Sequence, residues 1–367
     1  MRPFRVAYTG DFLNEDGTLA YGDMSLSLLR DQPFIQYRVL TDLAPQSGDR
    51  GYWQRFYSLE VKPEHVAELD GLVVLRPKVK REVLARAADL VAIGRSGAGY
   101  DKVDVAACTD HGVALFNVPM ALNHSTAATA LLFMLVLAKR LPEQERIARA
   151  GRWDLQAKVM GSEIEGRTLG IIGLGHSGRE LARLVVPFKM RLLAYSPHAD
   201  PEQAAALGVR LAALDEVLRE ADFLSIHCRL TEESRGLLGA TQLGKLKRSA
   251  HVINVARGEV IDQEALVDAL RERRIAGAGL DVFTVEPLPA DDPLLKLDNV
   301  IVTPHWNAST TDVWQATGRA MAVGMLRVAT GQIPDHVVNR EVLDRPGFQQ
   351  KLARFAGNRS SPAALKS

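Results

Sequence analysis

The sequence predicts an α/β protein built on two doubly wound parallel sheets, and three observations carry that reading. The chain has 367 residues, room for two domains of ordinary size, each with its own core. Short β-rich apolar runs alternate with helix-period segments along most of its length, the pattern of strands joined by helical crossovers. A glycine-rich turn, Gly173-x-Gly175-x-x-Gly178, stands where one such run passes into a helix.

The first series of strand-like runs is FRVAYTG, IQYRVL, GLVVLR, LVAIGRSG and ALFNVP. A second series follows Gly166: TLGIIGLG, RLLAYS, FLSIH, HVINVA, GAGLDV and VIVTPH, with amphipathic segments such as RELARLVVPF and DQEALVDALRERR between them. One long helix is expected between the two series, from Asn123 to Arg140, capped by Asn123 or Ser125 and carrying Lys139 and Arg140 at its C-terminal end. Its apolar stretch AATALLFMLVLA is about 12 residues, short of the roughly 20 that a membrane span requires, and reads as a buried helix. The segment Thr41 to Val61 holds Tyr52, Trp53, Phe56 and Tyr57 among turn formers. It is expected to be a loop packed on the surface or near a cleft mouth. The tail ending NRSSPAALKS reads as loosely held.

Apolar residues make up 47% of the chain and charged residues 24%, with a formal net charge of +1. That balance belongs to a soluble globular protein and argues against nucleic acid or an anionic membrane as partner. Cys108 and Cys228 match no metal-ligand spacing and form no disulfide framework, which fits a reducing cytoplasm. The opening MRPFRVAYTG lacks the apolar core and cleavage pattern of a secretory signal. No metal site is expected.

In the glycine-rich turn, Gly173 permits a tight bend, Gly175 lets the backbone approach a pyrophosphate, and Gly178 lets helix and strand pack closely. A dinucleotide site is the expectation. The acid that usually receives the ribose hydroxyls ends the next strand, and the residue in that place is Ser196. Its neutral hydroxyl can bond a ribose but does not repel a 2′-phosphate. The choice between NAD and NADP is therefore open at Ser196, with NAD preferred because no Arg lies in Pro197 to Pro201, and with His198 and Arg229 as the residues able to tip it.

Ligands of open parallel sheets sit beyond the carboxyl ends of the strands. Three such ends carry chemistry: Arg257 in HVINVARGEV, Glu286 in GLDVFTVEPLP and His305 in NVIVTPHWN. Singly, each has an ordinary structural explanation, as a solvated Arg, a turn Glu and a core His. Beside a dinucleotide turn they are read as one site. The set suits hydride transfer between a nicotinamide and a 2-hydroxy acid: His305 exchanges the hydroxyl proton, Glu286 orients the imidazole and favours its protonated form, and Arg257 holds the substrate carboxylate.

The motifs IGRSGAGYDKVD, GRTLGIIGLGHSG, LTEESRGLL, INVARGEVID, GLDVFTVEPLP and VTPH, in that order over about Gly71 to Asn339, closely resemble the D-isomer-specific 2-hydroxyacid dehydrogenase family. The resemblance implies a Rossmann cofactor domain at about 119–300, inserted into a flavodoxin-like substrate domain made of 1–118 and 301–367. It also implies a cleft that closes on substrate and a homodimer through the cofactor domain. Arg257, Glu286 and His305 match the family's catalytic residues. Gly173, Gly175, His176, Ser177, Gly178, Ser196, Cys228, Arg229 and Asp281 fall in its cofactor segments, Asp281 resembling the Asp at the nicotinamide end. Ser96, Gly97, Ala98 and Gly99 resemble the turn whose amides hold the substrate carboxylate, and Arg76 lies in a neighbouring loop that often faces substrate. Arg76 could grip a second anionic group or make a surface salt bridge. Asp104 and Asn117 are read as caps or turn residues.

Four features depart from the family pattern. Ala128 stands where a Glu is common, Arg229 replaces a common Pro, and Trp306 and Asn307 follow His305 where small residues are frequent. The chain also continues only about 28 residues past Asn339, too few for the regulatory domain some relatives append. The expected activity is an NAD(P)-dependent oxidoreductase acting on a small 2-oxo or 2-hydroxy acid. A nucleotide-sensing, corepressor-like binding protein and a formate-type dehydrogenase of the same fold remain the alternatives.

Overall fold

The five N-terminal runs form β1 (Phe4–Thr9), β2 (Ile35–Leu40), β3 (Gly71–Val74), β4 (Ala92–Arg95) and β5 (Ala114–Asn117) in the computed structural model, which describes residues 2–49 and 51–358. They pair in the order β2-β1-β3-β4-β5, all parallel. That is the flavodoxin-like order, in which direction reverses beside β1. The tail expected to be loosely held lies, past Asn358, outside the described residues.

The second series forms β6 (Thr168–Ile172), β7 (Arg191–Tyr195), β8 (Val209–Leu211), β9 (Phe223–Ile226), β10 (His251–Asn254), β11 (Gly277–Leu280) and β12 (Val300–Val302). Their order is β12-β11-β10-β9-β6-β7-β8, again parallel throughout. Read outward from β6, this is the Rossmann order with one further strand at the β12 edge. Only β8 has no counterpart in the sequence reading. Three residues at a sheet edge, with Arg210 exposed between Val209 and Leu211, carry too short a pattern to stand out.

The chain divides into two compact units, one made of Met1–Leu122 with Ser309–Ser367, the other of Asn123–Ala308. In the first unit, alternation along the strands feeds two cores. Phe4, Val6 and Tyr8 of β1 pack with Met321, Met325 and Leu326 of the helix Thr311–Ala329, while Ala7 packs with Leu72, Val74, Val83 and Leu115. Each fully buried side chain of this size contributes about 1.5–3 kcal/mol. The second unit repeats the scheme, with Ile172, Leu193, Leu224 and Val252 on one face and Leu169, Ile171, Ala194 and Ile253 on the other.

The long helix runs from Pro119 to Lys139, not from Asn123. Pro119 fits a first helical position, where no intrahelical N–H partner is needed, so Asn123 and Ser125 are interior residues and not caps. The Asn123 side chain instead accepts from the His124 amide at 2.8 Å, and the Ser125 hydroxyl donates to the Ala308 carbonyl at 2.7 Å. With 21 residues the helix is long and apolar enough to cross a membrane by length and composition. Its Ala127, Ala130, Phe133 and Met134 nevertheless lie in a core of the second unit. A Cβ on Gly279 of β11 would stand 2.7 Å from the Phe133 ring, so the helix sits directly on that sheet. It is buried along one side only, since Leu132 is 47% exposed.

Candidate active site

The glycine turn is built by the register of the second sheet. β6 pairs with β7 so that Ile172 faces Tyr195, and the Gly173 amide then donates to the Tyr195 carbonyl at 2.9 Å. Gly173 has φ +92°, and a Cβ there would meet the Cys228 amide at 2.5 Å. A Cβ on Gly178 would meet the Gly173 carbonyl at 2.3 Å, whereas one on Gly175 would enter open space. Two glycines are thus required by packing, and the third leaves a bare backbone face before the helix His176–Leu184. A helix start with no side chain in front of it fits a dinucleotide pyrophosphate.

Ser196 directly follows β7, and its carbonyl accepts from the Ala199 amide in a turn. Cys228 follows β9 by two residues and packs on Gly173, where burial pushes its thiol up to about 11. Arg229 is exposed, and its carbonyl accepts from the Ser234 hydroxyl at 2.7 Å. The structure therefore gathers Gly173, Ser196 and Cys228 at neighbouring strand ends.

Arg257 comes three residues after β10, in a turn held by Asn254. The Asn254 side chain accepts from the Ala256 amide at 3.0 Å and donates to the Arg257 carbonyl at 2.8 Å. Gly258, next in sequence, is pressed against the chain that follows β11, since a Cβ there would fall 1.9 Å from the Phe283 carbonyl carbon. That close approach brings Arg257 and Glu286 into one neighbourhood, and the Arg257 charge acts on the Glu286 carboxylate.

His305 lies just past β12 with φ +53°, a left-handed backbone uncommon for a residue with a Cβ. Asp281, after β11, holds this turn. Its carboxylate accepts from the Thr303 hydroxyl and from the amides of Trp306 and Asn307 at 3.1 and 3.2 Å. Burial pushes the Asp281 carboxyl up, against these hydrogen bonds and the His305 charge. Asp281 is 5% exposed, so its hydrogen-bonding capacity is spent largely on the His305 turn. Sequence reading missed this support because the partners lie more than twenty positions apart.

The His305 Nδ1 atom stands 2.9 Å from Glu286 Oε2 and 3.1 Å from Oε1. Glu286 also accepts from the Phe283 amide at 3.1 Å. Burial raises the Glu286 pKa, but the His305 hydrogen bond and charge, the Phe283 amide and Arg257 together outweigh it and hold the carboxyl below its ordinary range. The pair is thus an anionic carboxylate fixed on one imidazole nitrogen, which orients the ring.

The other group of candidates belongs to the first unit. Ser96 is buried, its amide donating to the Val74 carbonyl at 2.8 Å. The amides of Gly97, Ala98 and Gly99 donate to no protein acceptor among the described residues, an arrangement that suits an anion. Asn117 ties the turn down from the end of β5, its Nδ2 donating to the Ala98 carbonyl at 2.6 Å. Asp104 caps the helix Val105–Asp110, accepting from the Ala107 amide at 2.8 Å.

Arg76 is buried rather than a surface ion-pair residue. Its amide donates to Asp11 at 2.9 Å, and its guanidinium lies over the rings of Phe56 and Tyr57 at 4.3 and 5.4 Å. Within the aromatic segment Tyr52–Arg55 form a helical turn, and the Phe56 and Tyr57 rings that follow it cover Arg76.

Parallel strand order, glycine turn and a carboxylate-held histidine define a dinucleotide-dependent α/β oxidoreductase. Residues 131–307 match the family model for the NAD-binding domain of D-isomer-specific 2-hydroxyacid dehydrogenases. The chain is 39% identical over 298 residues to a glyoxylate reductase from Korarchaeum cryptofilum, covering 80% of this chain and 90% of that protein. A D-3-phosphoglycerate dehydrogenase from Methanocaldococcus jannaschii is 39% identical over 302 residues, but those are 80% of this chain and only 57% of that protein. The crystal structure of a glyoxylate reductase from Paecilomyes thermophila superimposes with a TM-score of 0.76 at 25% identity, covering 93% of this chain and all of that one. The chain belongs to the D-isomer-specific 2-hydroxyacid dehydrogenase family, and its cofactor is NAD.

Proposed function

We propose that this enzyme reduces a small 2-oxo acid to the D-2-hydroxy acid, with Arg257, Glu286 and His305 as its catalytic residues. The observation that carries the reading is the His305–Glu286 pair at 2.9 Å. Bound NADH supplies the hydride. As negative charge develops on the carbonyl oxygen, His305 donates a proton to it, and in the oxidative direction the neutral ring removes that proton. Glu286 keeps the ring in register through both states. Arg257 engages the substrate carboxylate and polarises the carbonyl. By the family resemblance, Ser96, Gly97, Ala98, Gly99 and Arg76 of the first unit are proposed as substrate-binding residues, a reading supported by the amides of Gly97 to Gly99, which donate to no protein acceptor among the described residues.

Gly173, Gly175, His176, Ser177 and Gly178 are proposed to hold the pyrophosphate, with Ser196, Cys228 and Arg229 at the adenosine end and Asp281 towards the nicotinamide. The two domains are proposed to be the substrate and cofactor domains of the family. We place the enzyme in the cytoplasm as a homodimer formed through the cofactor domain. Leu132, Trp153 and Met160 are 47%, 66% and 75% exposed, and Trp153 and Met160 line a groove of about 410 Å³ with Ile147 and Val159. Apolar exposure of this kind fits a buried interface. Substrate choice is tested by NADH oxidation with glyoxylate, hydroxypyruvate and bulkier 2-oxo acids. Turnover of the small acids supports the reading, and NADH binding without turnover of any acid supports a sensing role instead.

A further inference from the structure

Beneath the glycine turn lies a short polar chain that the proposed reaction does not use. His227, just past β9, is buried, with Nε2 2.9 Å from the Ser225 hydroxyl and Nδ1 3.0 Å from the Ser177 hydroxyl. Ser225 belongs to β9 and is fully buried, while Ser177 is half-buried as the second residue of the helix His176–Leu184. Burial lowers the His227 pKa to about 4, so at neutral pH the ring carries one N–H and one lone pair.

The polarity of this chain follows from hydrogen-bond satisfaction. Among the described residues, the His227 ring is the only hydrogen-bond partner of the Ser225 hydroxyl. A buried hydroxyl hydrogen without an acceptor is costly, so Ser225 donates to Nε2. The single ring proton then resides on Nδ1 and is donated to the Ser177 oxygen. With that oxygen already accepting from the ring, the Ser177 hydrogen points elsewhere, and no protein acceptor takes it among the described residues.

We propose that Ser225 and His227 form a relay of fixed polarity that presents the Ser177 hydroxyl as a donor to the dinucleotide phosphate, adding a side-chain hydrogen bond to those of the helix amides. The proposal rests on the assignment of the glycine turn as the cofactor site. His227 and Ser225 are positioning residues, acting only through Ser177. The sequence hides the relay, because Ser177 and His227 are fifty positions apart and meet only through the pairing of β6 with β9.

Two measurements test it. In the cofactor-free protein labelled with ¹⁵N-histidine, the His227 ring, assigned by its loss in His227→Gln, is expected to carry its proton on Nδ1 at pH 7. A proton on Nε2 overturns the relay whatever the cofactor does. NADH affinity, read by fluorescence titration, is expected to weaken about tenfold in Ser177→Ala, the worth of a hydrogen bond to a charged group. Ser225→Ala should weaken it as well, Ser225→Thr should restore it, and the double alanine variant should bind no worse than Ser177→Ala alone. Unchanged affinity in Ser177→Ala, or losses that multiply in the double variant, contradict the proposal. A wild-type protein that binds no NADH defeats the cofactor assignment, and the proton position on His227 still judges the relay.

Discussion

Acidification should destabilise the second unit through His227, by an amount the structure sets. The folded imidazole titrates at about 4 because of burial, whereas in the unfolded chain it titrates near 6.5. Between those values the unfolded state binds more protons, so stability falls as pH falls. Integrated from pH 7 to pH 5, this one group removes about 2 kcal/mol. His251, stacked on Phe223 and also lowered to about 4 by burial, adds an effect of the same sign. The assay is urea unfolding followed by fluorescence at pH 7 and pH 5, for wild type and His227→Gln. Gln keeps hydrogen-bonding groups but does not titrate, so the pH-dependent loss in the variant should be smaller by about 2 kcal/mol. An identical loss in both proteins would refute the claim that His227 is buried and neutral.

The remaining expectations concern residues that hold the site in place. Asp281→Ala leaves the Thr303 hydroxyl and two amides without their acceptor, so stability should drop by about 3 kcal/mol. The freed His305 turn should lower kcat by roughly 100-fold. A rise in KM for NADH with kcat intact would instead place Asp281's main effect at the cofactor. Gly258→Ala forces a Cβ into the Phe283 backbone and should cut kcat/KM roughly tenfold or more by separating Arg257 from Glu286. Wild-type kinetics in that variant would show that the close approach is not needed. Asn117→Ala removes the 2.6 Å bond to the Ala98 carbonyl and should raise KM for the 2-oxo acid about fivefold with kcat largely kept, the worth of one hydrogen bond to a positioned turn. Unchanged KM would remove Ser96–Gly99 from substrate binding.

The strands that position the site were legible because they are apolar, β-branched and punctuated by glycine, proline or a polar turn. β8 escaped that reading because Val209–Leu211 is an edge with one residue exposed between two apolar ones. The start of the long helix was misplaced because Asn123 and Ser125 look like caps, while Pro119 already satisfies the first turn by lacking a donor. His305, Glu286 and Arg257 were legible as chemistry, each standing just past a strand run. Their support was not. Asp281 grips a turn 22 to 26 positions downstream, Gly258 gives way to Phe283, and Arg76 is covered by rings from a segment that reads as a loop. Those relations arise only when strands distant in sequence pair, and single-sequence periodicity contains no trace of them.

The central claim is that His305, held by Glu286, moves the proton during reduction of a small 2-oxo acid. It is tested most directly by single-turnover NADH oxidation with glyoxylate, comparing wild type with His305→Ala at matched, saturating NADH. The account predicts that the variant binds NADH with wild-type affinity while the chemical step slows by roughly 10²–10⁴-fold. A variant that oxidises NADH at the wild-type rate would contradict it.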